Sequence, residues 1–410
     1  MLAITLAVLL AGSDPYLGDG HHGTRVVGTT EEFSPAFALG AELPSGGTTL
    51  QLGADAGFVA GDLIMIHRTT SDALDAPARD AGRFDLDSTD LGFFQLFRVL
   101  SGSGATFELD APAQLRFPMS GTQALLVHEF TELTVVNGGR ITARPWDGSS
   151  GGIVAFFVQG VTRVDGSIDV SGAGLRGGAP IVDTAGNAPE TFGCTNLDEP
   201  SPRGAFKGES FFSAYFGPLA SGSGRAISGG GGGICHNSGG GGGGHAGAGG
   251  QGGASWTADG SRDVGGQGGM AISASPLRLT FGGGGGAGEA HHGSTNNGGS
   301  RGGGIIFLRA QSIVGNGALL ANGQTSPMVD DAAGGGGAGG TVHLSVALVI
   351  QCGRISAQGG NGNINPCLCE GSSGGGGGGR VVLQANTVSC PVDVSAGVGG
   401  NYSTGAIVHS

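Results

Sequence analysis

The segment Gly304-Ile-Ile-Phe-Leu-Arg-Ala310 recurs along the second half of the chain and decides the fold class. Its aligned copies are Gly152-Ile-Val-Ala-Phe-Phe-Val158, Gly340-Thr-Val-His-Leu-Ser-Val346 and Gly379-Arg-Val-Val-Leu-Gln-Ala385. Apolar residues occupy every second position, as in a β-strand whose successive side chains point to opposite faces. Repeated strands of this kind predict a β-solenoid, because one coil cannot bury its apolar face alone.

A second short strand follows each copy. These strands are Ser167-Ile-Asp-Val-Ser-Gly172, Ala318-Leu-Leu-Ala-Asn-Gly323, Arg354-Ile-Ser-Ala-Gln-Gly359 and Pro391-Val-Asp-Val-Ser-Ala396. Alternation predicts inward columns, of which the clearest are Val154/Ile306/Val342/Val381 and Ile168/Leu319/Ile355/Val392. It predicts one outward column, Phe157/Arg309/Ser345/Gln384.

Glycine is the most unusual part of the composition. The 410 residues include 91 glycines and 16 prolines; 19 of the glycines lie in residues 1–150 and 72 lie in residues 151–410. Glycine at this level excludes a mostly helical protein, and 38% apolar residues exclude charge-driven disorder. Tracts such as 239–253, 282–288, 334–340 and 374–379 are typical either of flexible linkers or of packed polyglycine II-type helices. Their recurrence against one coil position favours packed helices.

The first third of the chain has a different pattern. Between residues 24 and 130, short apolar runs alternate with turn residues, which is typical of an all-β domain. The sequence therefore predicts an all-β protein, in which an N-terminal β-domain (14–130) precedes a glycine-rich β-solenoid (131–410). The solenoid is predicted to carry a long insertion at residues 173–228.

Charge and hydropathy limit the partners and the location. A net charge of −13 with a single lysine and no basic cluster excludes nucleic acid as a partner. The apolar run Leu2–Ala11, followed by small residues, predicts a signal peptide over residues 1–13 and hence secretion to the extracellular space or the outer cell surface. No stretch approaches 18 apolar residues, so no membrane span is expected.

Six cysteines lie in the glycine-rich half: Cys194, Cys235, Cys352, Cys367, Cys369 and Cys390. Export favours disulfides, and no spacing completes a zinc site. Cys352 and Cys390 fall within one residue of each other in consecutive coils, about 4.8 Å apart, so we expect them to be bonded. We also expect Cys194 to pair with Cys235.

The order of motifs resembles a class of exported bacterial glycine-rich proteins, some of them labelled adventurous gliding motility proteins of the AgmC type. The matching motifs are Gly18-Asp-Gly-His-His-Gly23, Gly61-Asp-Leu-Ile-Met-Ile66, Leu133-Thr-Val-Val-Asn-Gly-Gly139, Trp146-Asp-Gly148, Gly151-Gly-Ile-Val-Ala-Phe156, Gly166-Ser-Ile-Asp-Val-Ser-Gly172, Arg176-Gly-Gly178, Gly208-Glu-Ser210 and residues 302–310. The resemblance covers most of residues 14–400. The resemblance implies a structural role in the envelope or outside the cell. It names no reaction.

The insertion 173–228 contains the best candidate for a recognition surface. It combines aromatic and charged residues, which are typical of binding loops; the candidates are Lys207, Glu209, Phe211, Phe212 and Tyr215. The alternative is a loop that caps the solenoid with its aromatic side chains buried.

Catalytic and cofactor motifs are weak. Glycine-rich matches to nucleotide-binding and serine-hydrolase motifs lack the helix that both require. A β-helix lyase or glycosidase needs positioned carboxylates, for which Asp169, Asp393 and Glu209 are the candidates. His21-His22 and His291-His292 have no spacing typical of metal ligands, so neither a metal nor a cofactor is expected.

The sequence thus favours a non-enzymatic structural or adhesive surface protein. Its expected partners are surface glycans, other envelope components or further copies of itself. The alternative is a β-helix enzyme that acts on polysaccharide.

Overall fold

The computed structural model describes residues 16–72, 82–182, 204–212, 220–234, 237–253, 265–273, 276–290, 297–329, 331–363 and 371–399. Its strands are β1 (Thr24–Val27), β2 (Thr30–Glu32), β3 (Ala36–Ala38), β4 (Thr49–Gln51), β5 (Leu63–Arg68), β6 (Arg83–Asp85), β7 (Phe94–Ser103), β8 (Thr106–Leu109), β9 (Thr122–Phe130), β10 (Glu132–Val135), β11 (Arg140–Thr142), β12 (Ile153–Val164), β13 (Ser167–Asp169), β14 (Ile181–Val182), β15 (Ala271–Ser273), β16 (Glu289–Ala290), β17 (Ile305–Val314), β18 (Ala318–Leu320), β19 (Thr341–Val346), β20 (Val349–Gln351), β21 (Arg354–Ser356), β22 (Arg380–Gln384), β23 (Thr387–Ser389) and β24 (Val392–Asp393). A 3₁₀ turn covers Leu86–Ser88, and these ranges contain no α-helix. Within them, no helix has the length and apolar character needed to cross a membrane. The all-β class is confirmed.

Parallel pairing stacks the described strands into a solenoid of six coils. In the long sheet, β12, β17, β19 and β22 are consecutive neighbours, and Val154, Ile306, Val342 and Val381 lie opposite one another. The short strands form a second parallel sheet in the order β2-β11-β13-β18-β21-β24. The inward side chains of both sheets share one apolar core, which extends from Val27 to Ala357 with Val381 and Leu383 packed against it. The predicted β-solenoid is therefore confirmed, and so are its inward columns up to the last coil, where Val392 is 46% exposed.

The first coil corrects the predicted domain boundary. Strand β1 pairs in parallel with β10, and β2 pairs in parallel with β11. Residues 24–32 therefore belong to the solenoid, and the solenoid does not begin at residue 131. The β-domain is inserted between the first and second coils. Local patterns could not reveal this arrangement, because Thr24 pairs with a residue, Glu132, that lies more than a hundred positions away.

The inserted domain is an antiparallel sheet that is continuous with the solenoid. Strands β5, β7, β8 and β4 follow one another in antiparallel order, and β3 pairs with β9. Strand β9 pairs antiparallel with β5 on one edge and parallel with β12 on the other. One described sheet of 14 strands results. The insert has its own apolar core around Phe97, Phe107 and Phe117.

The glycine tracts are ordered helices of the polyglycine II type. Gly240 and Gly243 donate backbone hydrogen bonds to Ala333 and Gly336, so a step of three residues on one segment matches a step of three on its neighbour. This is the three-residue period of a polyproline II-like helix. Segment 239–244 is hydrogen-bonded in this way to six described segments, namely 228–231, 247–253, 266–269, 283–286, 333–336 and 374–377.

Every residue from Gly239 to Gly244 donates one backbone hydrogen bond and accepts one. A flexible linker would leave these groups to water, whereas here they are buried and satisfied within the protein. A Cβ atom added at Gly241 would overlap the carbonyl oxygen of Gln267, and one at Gly283 would overlap that of Ser228. The tracts are therefore glycine because the backbones touch.

Candidate functional site

The predicted recognition residues lie inside the protein. Lys207, Glu209, Phe211 and Phe212 are all buried, and both phenylalanines belong to an apolar core beside the long sheet. Segment 206–209 bonds to the glycine helix at 284–287. These four side chains therefore do not form an exposed recognition surface. Tyr215 lies outside the described residues.

The Glu209 carboxylate is fully engaged. Its Oε1 accepts from Trp146 Nε1 at 3.2 Å and from an Arg176 guanidinium nitrogen at 2.8 Å. Its Oε2 accepts from Arg176 Nε at 3.0 Å and from the Arg176 backbone N–H at 2.8 Å. Hydrogen bonding to Glu209 raises the pKa of Arg176. This buried ion pair joins the bundle to the solenoid and leaves Glu209 no free oxygen for acid–base chemistry.

Asp169 and Asp393 occupy one column of the second sheet but are far apart. Asp169 lies opposite Leu320, which lies opposite Ser356, which lies opposite Asp393. Three strand spacings separate the two carboxylates by roughly 14 Å, more than the roughly 5–9.5 Å found between the carboxyl groups of glycosidases. Asp169 instead pairs with Arg140 at 3.1 Å, and Asp393 accepts from Gln358 at 2.6 Å.

The predicted disulfide between Cys352 and Cys390 is confirmed, with Cα atoms 5.0 Å apart. It connects the fifth coil to the sixth coil. Cys194, Cys235, Cys367 and Cys369 lie outside the described residues, as do His236, His291, His292 and the predicted signal peptide. The pairing of Cys194 with Cys235 stays a prediction.

The histidines of the Gly18–Gly23 motif lie beside acidic residues. His21 Nδ1 is 2.8 Å from Asp19 Oδ1, and His21 Nε2 is 3.4 Å from Asp62 Oδ1. His21, His22 and Asp62 are close enough together for one metal ion. However, the Glu129 backbone N–H donates to His22 Nδ1 at 3.0 Å, so a neutral His22 carries its proton on Nε2. Neither nitrogen of His22 then offers a free lone pair to a metal.

The same motif pairs with the last residues of β9, beyond Val127, where the pairing of β9 with β5 ends. The His22 backbone N–H donates to the Glu129 carbonyl at 2.9 Å, and the Thr131 N–H donates to the Gly23 carbonyl at 2.9 Å. The Glu129 carboxylate is buried and is bound by both terminal nitrogens of Arg98, at 2.6 and 2.7 Å. The motif thus provides backbone partners for residues 129–131, which the pairing of β9 with β5 does not reach.

The outward column of the long sheet begins next to the Gly18–Gly23 motif. In register, Phe157 lies opposite Arg309, Arg309 opposite Ser345, and Ser345 opposite Gln384. We call these four residues the outer column. Tyr16, which is 51% exposed, packs edge-on against Phe157 with ring centroids 6.2 Å apart. The Ser345 hydroxyl donates to Gln384 Oε1 at 3.0 Å.

Arg309 stands out within the outer column. Its guanidinium lies over the rings of Phe157 and Phe307, at 4.9 and 5.3 Å from their centroids. In the part of the chain that the structure describes, it has no ion pair and no hydrogen bond, and its Nε is buried without a partner. Burial lowers the pKa of Arg309 to about 10. Sequence alternation predicted that this side chain points outward, but gave no sign that it lacks a counter-ion.

His343 is a second incompletely satisfied group beside Arg309. It lies opposite Phe307 in the register, with ring centroids 5.4 Å apart. It is 4% exposed, and its Nδ1 has no hydrogen-bond partner among the described residues. Burial and then the nearby Arg309 charge lower the pKa of His343 to about 4, so it is neutral at pH 7.

Exposed amides border the outer column two positions beyond Phe157, Arg309 and Gln384. Gln159 follows Phe157 by two residues, Gln311 follows Arg309 and Asn386 follows Gln384; all three are exposed. Phe157 and Ser345 are themselves buried, which corrects the predicted outward position of these two residues. The surface here therefore consists of the half-buried Arg309 and Gln384, the exposed amides and the neighbouring Tyr16 ring. Side chains of these types bind sugars through stacking and hydrogen bonding.

Comparison with known proteins gives no relative by sequence: no protein family and no curated protein matches the chain. Among solved structures, the chain has a partial likeness to the tailspike gp61 of Pseudomonas phage phi297, at 15% identity over 38% of this chain and 25% of that chain, with a TM-score of 0.18. A second partial likeness is to the Gp54 tailspike of Acinetobacter baumannii bacteriophage AP22, solved with A. baumannii capsular saccharide, at 12% identity over 36% of this chain and 31% of that chain, with a TM-score of 0.17. The chain thus spans a third or less of each tailspike. Likenesses at these TM-scores carry no argument, and the solenoid is established by strand pairing.

Proposed function

We propose that this chain is an exported structural or adhesive surface protein that binds glycans through the outer column and its bordering amides. The observation that carries the proposal is the surface itself: the sheet register fixes the spacing of Arg309 and Gln384, and the exposed Tyr16 ring packs beside them against Phe157. A site built on sheet strands is held more precisely than a site on loops.

The glycine bundle and the disulfide support a structural role. The bundle packs against the apolar residues that flank the long sheet, and Cys352–Cys390 locks consecutive coils together. Disulfides persist in oxidising compartments outside the cytosol, which fits the proposed export. Resemblance to the AgmC-type class and location at the outer surface are part of the same proposal.

A polysaccharide lyase or glycosidase is the competing function. Glu209 is enclosed by Arg176 and Trp146, and the distance between Asp169 and Asp393 is too large for them to act together on one bond. The positions of the candidate carboxylates identified from the sequence therefore support binding, rather than catalysis, as the function.

The test is to measure binding of the purified full chain to a glycan panel and to whole bacterial cells. Gln311→Ala, in the bordering amides, should weaken binding severalfold, because it removes an exposed hydrogen-bonding group. Gln351→Ala is the matched control, since Gln351 is also exposed but lies on β20. Failure to bind any glycan or cell would contradict the proposal. New reducing or unsaturated ends during incubation would establish the enzyme instead.

A further inference from the structure

Among the residues that the structure describes, the guanidinium of Arg309 has no counter-charge. Buried cations in folded proteins are almost always paired. The nearest acidic side chain along the same column is Glu129 on β9, opposite Phe157. Both of its oxygens are held by Arg98. Arg309 therefore has no intramolecular partner among the described residues, and cation–π contact with two rings repays only part of its desolvation.

The geometry around Arg309 is suited to an anion that arrives from solvent. The Phe157 and Phe307 rings support the guanidinium from the protein side, and the side chain keeps partial exposure. A guanidinium presents parallel N–H donors that match the two oxygens of a carboxylate. His343 borders Arg309 on the same face of the sheet; its side chain is 4% exposed, and its Nδ1 is buried without a partner among the described residues.

Groups beside Arg309 favour a sugar as the carrier of that anion. The exposed Tyr16 ring offers a stacking face near Phe157, and Gln311 and Gln384 offer amides on either side of Arg309 and Ser345. A small inorganic anion would use Arg309 alone and leave these groups without a role. An acidic oligosaccharide that lies across the strands would use all of them, because Phe157 and Gln384 are three strand spacings, roughly 14 Å, apart.

We propose that Arg309, with His343 beside it, forms a subsite for the carboxylate of an acidic sugar, so that the outer column selects uronic-acid-containing glycans. The inference rests on the proposed glycan-binding function and names its substrate class. The binding step is non-covalent: the sugar carboxylate forms a bidentate ion pair with the guanidinium and displaces water.

The experiment is calorimetric titration of the full chain with hexagalacturonate, its methyl ester, maltohexaose and dextran sulfate. Hexagalacturonate should bind at least tenfold more tightly than the ester or maltohexaose, because both lack the charge. Arg309→Gln should remove this preference, and Arg309→Lys should restore part of it. Arg163→Gln is the control, because Arg163 is an exposed arginine on the same strand as Phe157.

The possible failures are distinguishable. Binding of neutral and acidic glycans alike, unchanged in Arg309→Gln, would overturn the carboxylate subsite and leave the proposed function standing. Equal binding of dextran sulfate that depends on Arg309 would overturn the assignment to a carboxylate. Binding of none of the four probes, together with no binding to other glycans or cells, would overturn the proposed function itself. Circular dichroism and the thermal midpoint establish that each variant is folded before titration.

Discussion

Arg25 and Glu31 form an ion pair at the end of the first coil, at positions that the second coil fills with Leu133 and Ile141. Both of those second-coil residues are fully buried. The first coil therefore replaces two inward apolar side chains with a charged pair. Terminal repeats of solenoids need such a polar cap, because an apolar end would pair with other chains.

We expect the double variant Arg25→Leu/Glu31→Leu to associate through its first coil, since it extends the apolar columns to the solvent. The free energy of unfolding should change by less than about 1 kcal/mol, because partly exposed ion pairs contribute little. Sedimentation velocity at several concentrations measures the association. The control variant Arg116→Leu/Glu42→Leu removes an exposed ion pair of the inserted domain. It should sediment as the wild type does. Equal sedimentation of both double variants would contradict the capping role.

Alanine at Gly241 should destabilise the protein by at least about 2 kcal/mol, because the added methyl group overlaps a neighbouring carbonyl in a rigid bundle. Thermal or denaturant unfolding measures the effect. Gly82→Ala is the matched control: nothing lies within 4 Å of its added Cβ, so this change should be neutral or slightly stabilising. A tolerant Gly241→Ala would mean that the bundle is looser than its hydrogen bonding indicates.

Removal of the Cys352–Cys390 disulfide should lower stability by up to about 4 kcal/mol, from the chain entropy of a loop of this length. The two cysteines are 38 positions apart. Cys352→Ser/Cys390→Ser should unfold at a lower temperature than the oxidised wild type. Non-reducing peptide mapping identifies the bond directly, and recovery of both residues as free thiols would contradict it.

Stability should fall as the pH is lowered from about 6.5 to about 4. His67 is buried, with Nδ1 2.8 Å from Thr69 Oγ1 and Nε2 2.9 Å from the Leu279 carbonyl. Burial lowers its pKa to about 4, whereas the unfolded chain has a histidine pKa near 6.5. Between these values the unfolded state binds more protons, so acid favours unfolding, and below pH 4 the effect levels off.

His67→Gln keeps hydrogen-bonding groups and removes the titration, so its stability should vary less with pH over that window. The slope should fall by at most about 1.4 kcal/mol per pH unit. Denaturant unfolding between pH 7 and pH 4 measures it. His128 and His343, whose pKa values burial also lowers to about 4, contribute to the remaining slope, as do His22 and His245, whose pKa values burial also lowers. An unchanged slope in His67→Gln would show that folding does not lower the pKa of His67, so that the ring is already charged between pH 6.5 and pH 4 in the folded protein.

Glu209→Ala should cost about 3–5 kcal/mol, because it leaves the Arg176 guanidinium partly buried without its carboxylate. Glycan affinity per folded molecule should stay at the wild-type value, since the Glu209 side chain is 2% exposed and belongs neither to the outer column nor to its bordering amides. A loss of affinity without loss of stability would restore the recognition role predicted from the sequence.

The chain order of apolar residues was enough to predict the solenoid. Alternation set the inward columns at Val154/Ile306/Val342/Val381, and the coil alignment placed Cys352 beside Cys390, because neighbouring coils stack at a constant spacing. The glycine tracts predicted three-residue helices, because residues without side chains allow backbones to pack against each other. Each of these inferences depends on local periodicity, which the sequence contains in full.

Only the tertiary structure decided which distant strands pair, which side chains are buried, and which polar groups lack a partner among the described residues. Residues 24–32 became the first coil because they pair with strands beyond a long insert, and segment 206–212 became interior because glycine helices enclose it. Arg309 was visible in the sequence as an outward residue, but that no carboxylate of the described residues reaches it depends on where those residues fold. A sequence pattern determines which way a side chain points, whereas the packing of distant segments determines what it meets.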